Sequence, residues 1–379
     1  MKVLTVIDSF KGSLSSEEAG RAVKEAVHAL SPTSVVTVRP IADGGEGTVD
    51  ALLTLPGSEE VRARVTGPLG EPVEAKYCVL SDGTAVIECA SAAGLTLIPE
   101  GSRDPEVTTT KGLGELIRHA IENGRRRFVI GLGGSGTNDG GIGMLSALGF
   151  GFTDEDGKPV EPSARGLGRI ADIQRFCAMR ELRECRFRVA CDVTNPLCGS
   201  DGCSEVFAPQ KGADSESVKR MDGWMAHYAR LASRLFGADA TLPGAGAAGG
   251  LGFAFTAFLG AKLERGAPLI FKLTELERYV DGADVVVTGE GRIDRQTVMG
   301  KAPFEAAKLA KRMGKTVVAF CGSAGDGAQL CNACIDGIFP IVRGAATLEE
   351  AMDRDRAYAN LRDTAYQVFD LIMKIRPDL

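Results

Sequence analysis

At 379 residues the chain is long enough for two or three domains of roughly 150 residues each. A formal charge of −6, with 25% charged and 44% hydrophobic residues, fits an ordinary globular protein and excludes a disordered one. The acidic balance and the lack of a Lys/Arg tract argue against nucleic-acid binding, and no apolar run approaches the ~20 residues of a membrane span.

The opening stretch, Met1 to Asp8, turns polar too early for a signal peptide and reads as a buried strand; a cytoplasmic location is expected. A helix over Ser15–Leu30 follows, because Ala19, Ala22, Val23, Ala26, Val27 and Leu30 share one face and Ser15 with Glu18 makes a capping box. Ser34–Arg39 is a second strand, so the start reads as β-α-β, the opening of a parallel sheet. The pattern then changes. Val61–Thr66, Val73–Leu80 and Thr84–Cys89 are short strands, the last two joined through the turn signal Ser81-Asp82-Gly83. Thr110–Asn123 and Asp139–Leu148 read as helices, and Arg126–Leu132 and Phe187–Cys191 as strands. Ser217–Phe236 is a long helix whose apolar stripe belongs to the core. Alternation returns with strand Asp284–Thr288, a helix near Pro303–Met313, strands Thr316–Phe320 and Gly337–Val342, and a closing helical stretch from Leu348.

These elements predict an α/β fold of two domains. Both chain ends, residues 1–63 and 283–379, supply about five parallel strands with crossover helices, a flavodoxin-like parallel-sheet domain. Residues 64–282 make a second α/β domain inserted between them.

The three histidines, His28, His119 and His227, all fall in helix-patterned stretches, which argues against His-based acid–base chemistry. Ten cysteines are scattered; only Cys331 and Cys334 form a C-x-x-C, with no second pair to complete a zinc site. Buried reduced thiols are expected. Glycine, at 48 residues against a usual ~7%, is concentrated in loops.

Seven such loops carry the candidate chemistry, most of them just after a strand, where open α/β sheets place ligands. They are Asp8–Ser13, Asp43–Thr48, Gly133–Gly141, Asp192–Leu197, Pro209–Gly212, Gly244–Gly250 and Gly289–Asp294. Across them the same types recur: glycine, a carboxylate, and Lys, Arg, Ser, Thr or Asn. Glycines let backbone N–H groups face an anion, carboxylates hold Mg²⁺ or accept a proton, and Lys or Arg neutralises phosphate or carboxylate. Those are the parts of phosphoryl transfer. Each loop alone is equally read as a tight turn or a helix cap; the repetition of residue types points to a shared polyanion site.

No P-loop is present, since Gly300-Lys301 is followed by Ala302 without the upstream glycine. Gly131–Gly136 does match G-x-G-x-x-G, but the acidic residues that follow, Asp154 and Asp156, lie beside a turn rather than at the end of a strand.

Taken together, DSFKGSL (8–14), ADGGEGT (42–48), GSGTNDGGIGML (134–145), CDVTNPL (191–197), PQKGA (209–213), GAGAAGGLG (244–252) and TGEGRIDRQT (288–297) resemble the bacterial glycerate kinases of type I, in order and over essentially the whole chain. That resemblance implies ATP-dependent phosphorylation of D-glycerate, on the 2-hydroxyl, in an interdomain cleft. It implies Asp192 as the base, with an N-cap as its alternative role, and Lys11 as a second catalytic group. It further implies substrate contacts from Asp8, Ser13, Asp43, Asn195 and Arg292, and Mg²⁺ at Glu290 and Asp294. The nucleotide would lie against Gly134, Ser135, Thr137, Asn138, Asp139, Gly246, Gly249 and Gly250. Arg295 departs from the small residue expected there. The competing readings are a kinase for another small hydroxy acid, an NAD(P)-dependent oxidoreductase using Gly131–Gly136, and a non-catalytic sugar-acid sensor. Partners beyond D-glycerate and ATP are not expected; the protein is a monomer or a homodimer on this reading.

Overall fold

The structure, a computed structural model, describes residues 1–376; residues 377–379, the tail of the expected closing helix and of the first domain, lie outside it. Chain contacts divide it into two compact units, Met1–Asp43 together with the chain from Ala267, and Gly44–Gly266. Both limits fall earlier than 63/64 and 282/283. Segment 44–63 is committed to the second unit, because Gly44 packs on Gly131 and Ala190 and Glu59–Thr66 pairs along its length with Pro72–Val79. At the other limit, Ala267, Phe271, Leu276 and Val280 join the core on one face of the first unit's sheet.

The first unit is a five-stranded sheet in the order Gly337–Pro340, Thr316–Ala324, Val285–Ile293, Lys2–Ile7, Val35–Val38, with every pair parallel. Counted within the unit this is 2-1-3-4-5, the flavodoxin-like order. Such a sheet is buried on both faces, hence the unbroken apolar runs of its strands. Helices Ser16–Leu30 and Arg354–Ile375 cover one face, and Ala302–Arg312 the other. The Ser15/Glu18 capping box forms as the sequence predicts. Strand order reverses between Lys2–Ile7 and Val285–Ile293, and Asp8 and Glu290 stand there.

Two strands run past their apolar cores to nine residues each, so Gly289, Glu290, Gly291 and Arg292 belong to a paired strand rather than a loop. Glycine makes this pairing close. A Cβ on Gly289 would lie 2.0 Å from the Phe320 carbonyl oxygen, and one on Gly322 would lie 2.6 Å from that of Gly291. Hydrophobic periodicity has no signal for such a segment.

The second unit holds a six-stranded sheet ordered Lys262–Glu264, Arg186–Ala190, Arg127–Gly131, Ala85–Glu88, Pro72–Val79, Glu59–Thr66. The first four strands are parallel and the last two antiparallel. The expected helix from Asp139 starts only at Ile142, because Gly140 and Gly141 are left-handed (φ 62° and 76°). The stripe of Ser215–Phe236 is core: Met225 and Tyr228 are fully buried. His28, His119 and His227 bond to Ser34, Tyr77 and Ile170 respectively, and all ten cysteines are free thiols. Among the described residues no helix is long and apolar enough to cross a membrane.

Packing in the second unit is tight enough to test. Gly114 lies in helix Lys111–Glu122, and a Cβ there would sit 2.3 Å from the Met144 carbonyl oxygen and 2.8 Å from Ala147 Cβ. Alanine gains about 1 kcal/mol of helix propensity, but overpacking against a neighbouring backbone costs about 1–3 kcal/mol. Gly114→Ala is therefore expected to lower the urea midpoint with an unchanged m-value; a raised midpoint would mean that the two helices separate freely.

Candidate active site

In the first unit the carboxyl ends of the central strands gather charge. The Asp8 amide continues the ladder by donating to the Gly289 carbonyl at 2.9 Å, and the Ser9 amide donates to Asp8 Oδ1 at 2.7 Å. Burial, then the charges of Asp43 and Glu290, push the Asp8 carboxyl up to about 7, against the opposing pull of the Ser9 amide and Lys11. The next turn is pinned by its apolar ends: Phe10 and Leu14 are buried and bridge to one another. That leaves Lys11 and Gly12 exposed, with Gly12 left-handed at φ 79°. Ser13 Oγ is buried without a hydrogen-bond partner. Asp8, Lys11, Asp43 and Glu290 are thus brought into one electrostatic cluster at the point where the strand order reverses.

Glu290 is buried at 7% exposure, and both its oxygens are engaged: Thr297 Oγ1 donates to Oε1 at 2.7 Å and Lys301 Nζ to Oε2 at 2.8 Å. Burial raises its carboxyl above the usual range, opposed by those two bonds. Asp294 accepts from Arg292 Nε at 3.1 Å and from the Gln296 amide at 2.9 Å. No group of three or more His, Cys, Asp or Glu able to hold a metal exists among the described residues. The oxygens of Glu290 and Asp294, the expected Mg²⁺ ligands, are engaged with Lys301, Thr297 and Arg292. A magnesium ion arriving on nucleotide phosphates needs no such cage. Lys301 is outside the site residues expected from the sequence, where its one signal is the incomplete P-loop at Gly300-Lys301; Thr297 lies inside the TGEGRIDRQT motif without a role of its own.

In the second unit the loop after strand Arg127–Gly131 has two sides. Gly133 and Gly134 are exposed and Ser135 is half-buried. The backbone N–H groups of these three have no acceptor among the described residues, and Gly134 is left-handed at φ 74°. Successive unengaged amides around a left-handed residue make an anion-binding concavity. Thr137, Asn138 and Asp139, expected on the nucleotide, are instead fully buried beneath it. Asp139 accepts from Thr110 N and Oγ1 at 2.8 Å each, from Gly141 N at 3.0 Å and from Gly143 N at 3.3 Å. Asn138 Nδ2 donates to Ser204 Oγ at 2.9 Å. These residues shape the loop from below.

Gly246, Gly249 and Gly250 are likewise explained by packing. A Cβ on them would meet the Pro196 carbonyl oxygen at 2.2 Å, that of Thr137 at 2.2 Å and Gly140 Cα at 2.7 Å. Gly249 and Gly250 bring this backbone against the 137–140 loop and Gly246 brings it against Asn195–Pro196, and none is exposed. Ala248 between them is held left-handed at φ 52°. Asn195 Nδ2 donates to the Asp201 carbonyl at 2.8 Å, closing its own loop. Asp192 is exposed, and its Oδ1 accepts from the Gly266 amide at 3.0 Å, at the first residue of helix Gly266–Leu273. This contact joins residues 74 positions apart, so it is not the N-cap of a helix directly after the strand.

Comparison with known proteins agrees over the whole length. The sequence profile of the glycerate kinase family matches residues 3–373. Glycerate 2-kinase of Escherichia coli K12 is 42% identical over 354 residues, 93% of each chain. Glycerate kinase of Bacillus subtilis 168 is 43% identical over 361 residues, 94% of each chain. A crystal structure of a protein designated glycerate kinase 2 from Salmonella typhimurium LT2 superposes with a TM-score of 0.88 at 41% identity, covering 100% of both chains. On a profile match of this extent and relatives of this identity, the chain belongs to the glycerate kinase family.

Proposed function

We propose that the protein transfers the γ-phosphoryl group of ATP to the 2-hydroxyl of D-glycerate, giving 2-phosphoglycerate and ADP. The observation that carries this reading is the row of unengaged amides at Gly133, Gly134 and Ser135, a backbone concavity suited to phosphate oxygens. The name of the Escherichia coli relative supports the 2-position. Mg²⁺, bound on the ATP phosphates, would supply charge neutralisation. The protein's own work is placement, because phosphoryl transfer needs little covalent help.

On this reading D-glycerate lies at the Asp8 cluster. Lys11, exposed beside Asp8, takes the carboxylate of glycerate. Ser13 Oγ, buried and without a partner, donates to a substrate oxygen. Asp8 rather than Asp192 accepts the hydroxyl proton. A proton acceptor works best with a pKa near the working pH, and the Asp8 carboxyl is held at about 7, whereas Asp192 accepts from the Gly266 amide. In the step itself the 2-hydroxyl oxygen forms the new bond to the γ-phosphorus, the bond from that phosphorus to the β-bridging oxygen breaks, and the proton passes to Asp8. ADP leaves with the bond's electron pair. In this unit Lys301 is held against Glu290 at 2.8 Å and Arg292 against Asp294 at 3.1 Å.

The reaction is tested by following ATP, Mg²⁺ and D-glycerate with the purified protein by ³¹P NMR. A 2-phosphoglycerate resonance is expected to grow as ADP forms. A 3-phosphoglycerate resonance would overturn the choice of hydroxyl, and transfer to water alone would overturn the acceptor.

The choice of base has its own test. Asp8 must be ionised to take the proton, so kcat/KM should rise with pH through about 7 and then level. Asp8→Asn is expected to lose about 10²–10⁴-fold in kcat together with that rise, while Asp192→Asn stays within about tenfold, under ~1.4 kcal/mol of barrier. The opposite pattern would return the role to Asp192.

A further inference from the structure

The structure carries a buried cation that the proposed chemistry does not use. Lys211 ends the short 3₁₀ helix Pro209–Lys211, and Gly212 after it is left-handed at φ 104°. A Cβ on Gly212 would lie 2.3 Å from the Arg103 carbonyl oxygen, so glycine lets the chain turn here against residue 103. The turn sends the Lys211 side chain inward, leaving the residue 2% exposed. Its Nζ donates to the Thr137 carbonyl at 2.7 Å and to Ser135 Oγ at 3.1 Å. Both acceptors are neutral, and no carboxylate lies within ion-pair distance of Lys211 among the described residues. Buried ammonium groups ordinarily have a charged partner. Two further polar atoms of the same loop, Thr137 Oγ1 and Asn138 Oδ1, are buried without partners, so the floor of the loop is polar and incompletely satisfied.

We propose that Lys211 is the positioning residue of the nucleotide site: from beneath, it fixes Ser135 and the Thr137 carbonyl and places an unscreened positive charge under the Gly133–Ser135 amides, whose counterion is the phosphate chain of ATP. The proposal rests on the reading that this rim holds ATP. Lys211 does not touch the ligand; it acts through the loop and through its field, which water cannot screen at this depth. The titratable groups that face it are Asp139, already saturated by its four donors, and the thiols of Cys89 and Cys203. Burial pushes both thiols up to about 12, so they stay neutral near pH 8. Burial in turn pulls the ammonium of Lys211 down to about 8, opposed by those three groups. The charge is therefore lost as pH rises through about 8, and nucleotide affinity should fall with it.

The test is calorimetric titration with ADP from pH 7 to 9, on the wild type, Lys211→Met and Gly134→Asp, with each variant's melting temperature recorded. For the wild type, Kd for ADP should weaken by about tenfold across this range as the ammonium deprotonates. Lys211→Met should stay folded, bind ADP about 30-fold more weakly at pH 7, show no pH dependence, and leave KM for D-glycerate within about threefold. Gly134→Asp puts a carboxylate on the rim and should abolish ADP binding. A folded Lys211→Met protein that binds ADP within threefold of wild type overturns the proposal, as does a flat wild-type profile, which decides the matter alone should the variant not fold. If Gly134→Asp binds ADP normally, the placement of the nucleotide itself is wrong. If Gly134→Asp abolishes binding and Lys211→Met does not, only the role of Lys211 fails.

Discussion

The buried carboxylate of Asp139 is the constraint on which the second unit's loop depends. It is wholly enclosed, and burial alone would drive its carboxyl far toward the neutral form. Its four donors come from two places, the start of helix Lys111–Glu122 at Thr110 and the turn at Gly141–Gly143, so satisfying the carboxylate ties those backbones together. The Thr110 hydroxyl passes the arrangement on by accepting from the Met144 amide at 2.9 Å. Lys211 holds the preceding part of the same loop through Ser135 Oγ and the Thr137 carbonyl. Tied at Asp139 and at Lys211, residues 135–143 have little freedom, and Gly133–Ser135 present their amides as a concavity. Preorganisation of this kind means that phosphate binding does not have to order the loop first.

The first unit reaches a comparable result by different means. In its sheet the strand order reverses between Lys2–Ile7 and Val285–Ile293, so the loops after these adjacent strands diverge. Three carboxylates, Asp8, Asp43 and Glu290, face one another there, and their mutual repulsion adds to burial in keeping Asp8 easy to protonate. Lys301 neutralises the deepest of them, Glu290, which stabilises the strand extension that carries Glu290. A carboxyl poised near neutrality and a cation beside it are what deprotonation of a hydroxy acid requires.

Much of this was legible in the sequence. The flavodoxin-like unit built from both ends follows from β-α-β at the start and β-α-β at the finish, and the Ser15 capping box forms as read. The family is legible because seven motifs occur in order. What could not be read is which side of a glycine loop faces solvent. Gly246, Gly249 and Gly250 look like a phosphate cradle but serve backbone-to-backbone packing, because a missing Cβ permits either use. Thr137, Asn138 and Asp139 are polar, and polarity in a loop suggests exposure; only the three-dimensional partners reveal a buried hydrogen-bonded network. Lys301 escaped because its partner, Glu290, is defined by a strand that continues through glycines after the apolar pattern ends.

The central claim is a division of labour, nucleotide at Gly133–Ser135 and hydroxy acid at the Asp8–Ser13 turn. Amide hydrogen exchange with ADP alone and with D-glycerate alone tests it most directly. The account predicts that ADP slows exchange at Gly133, Gly134 and Ser135, whose amides are unengaged without it, and that D-glycerate slows exchange between Ser9 and Leu14. Protection exchanged between the two segments would contradict it.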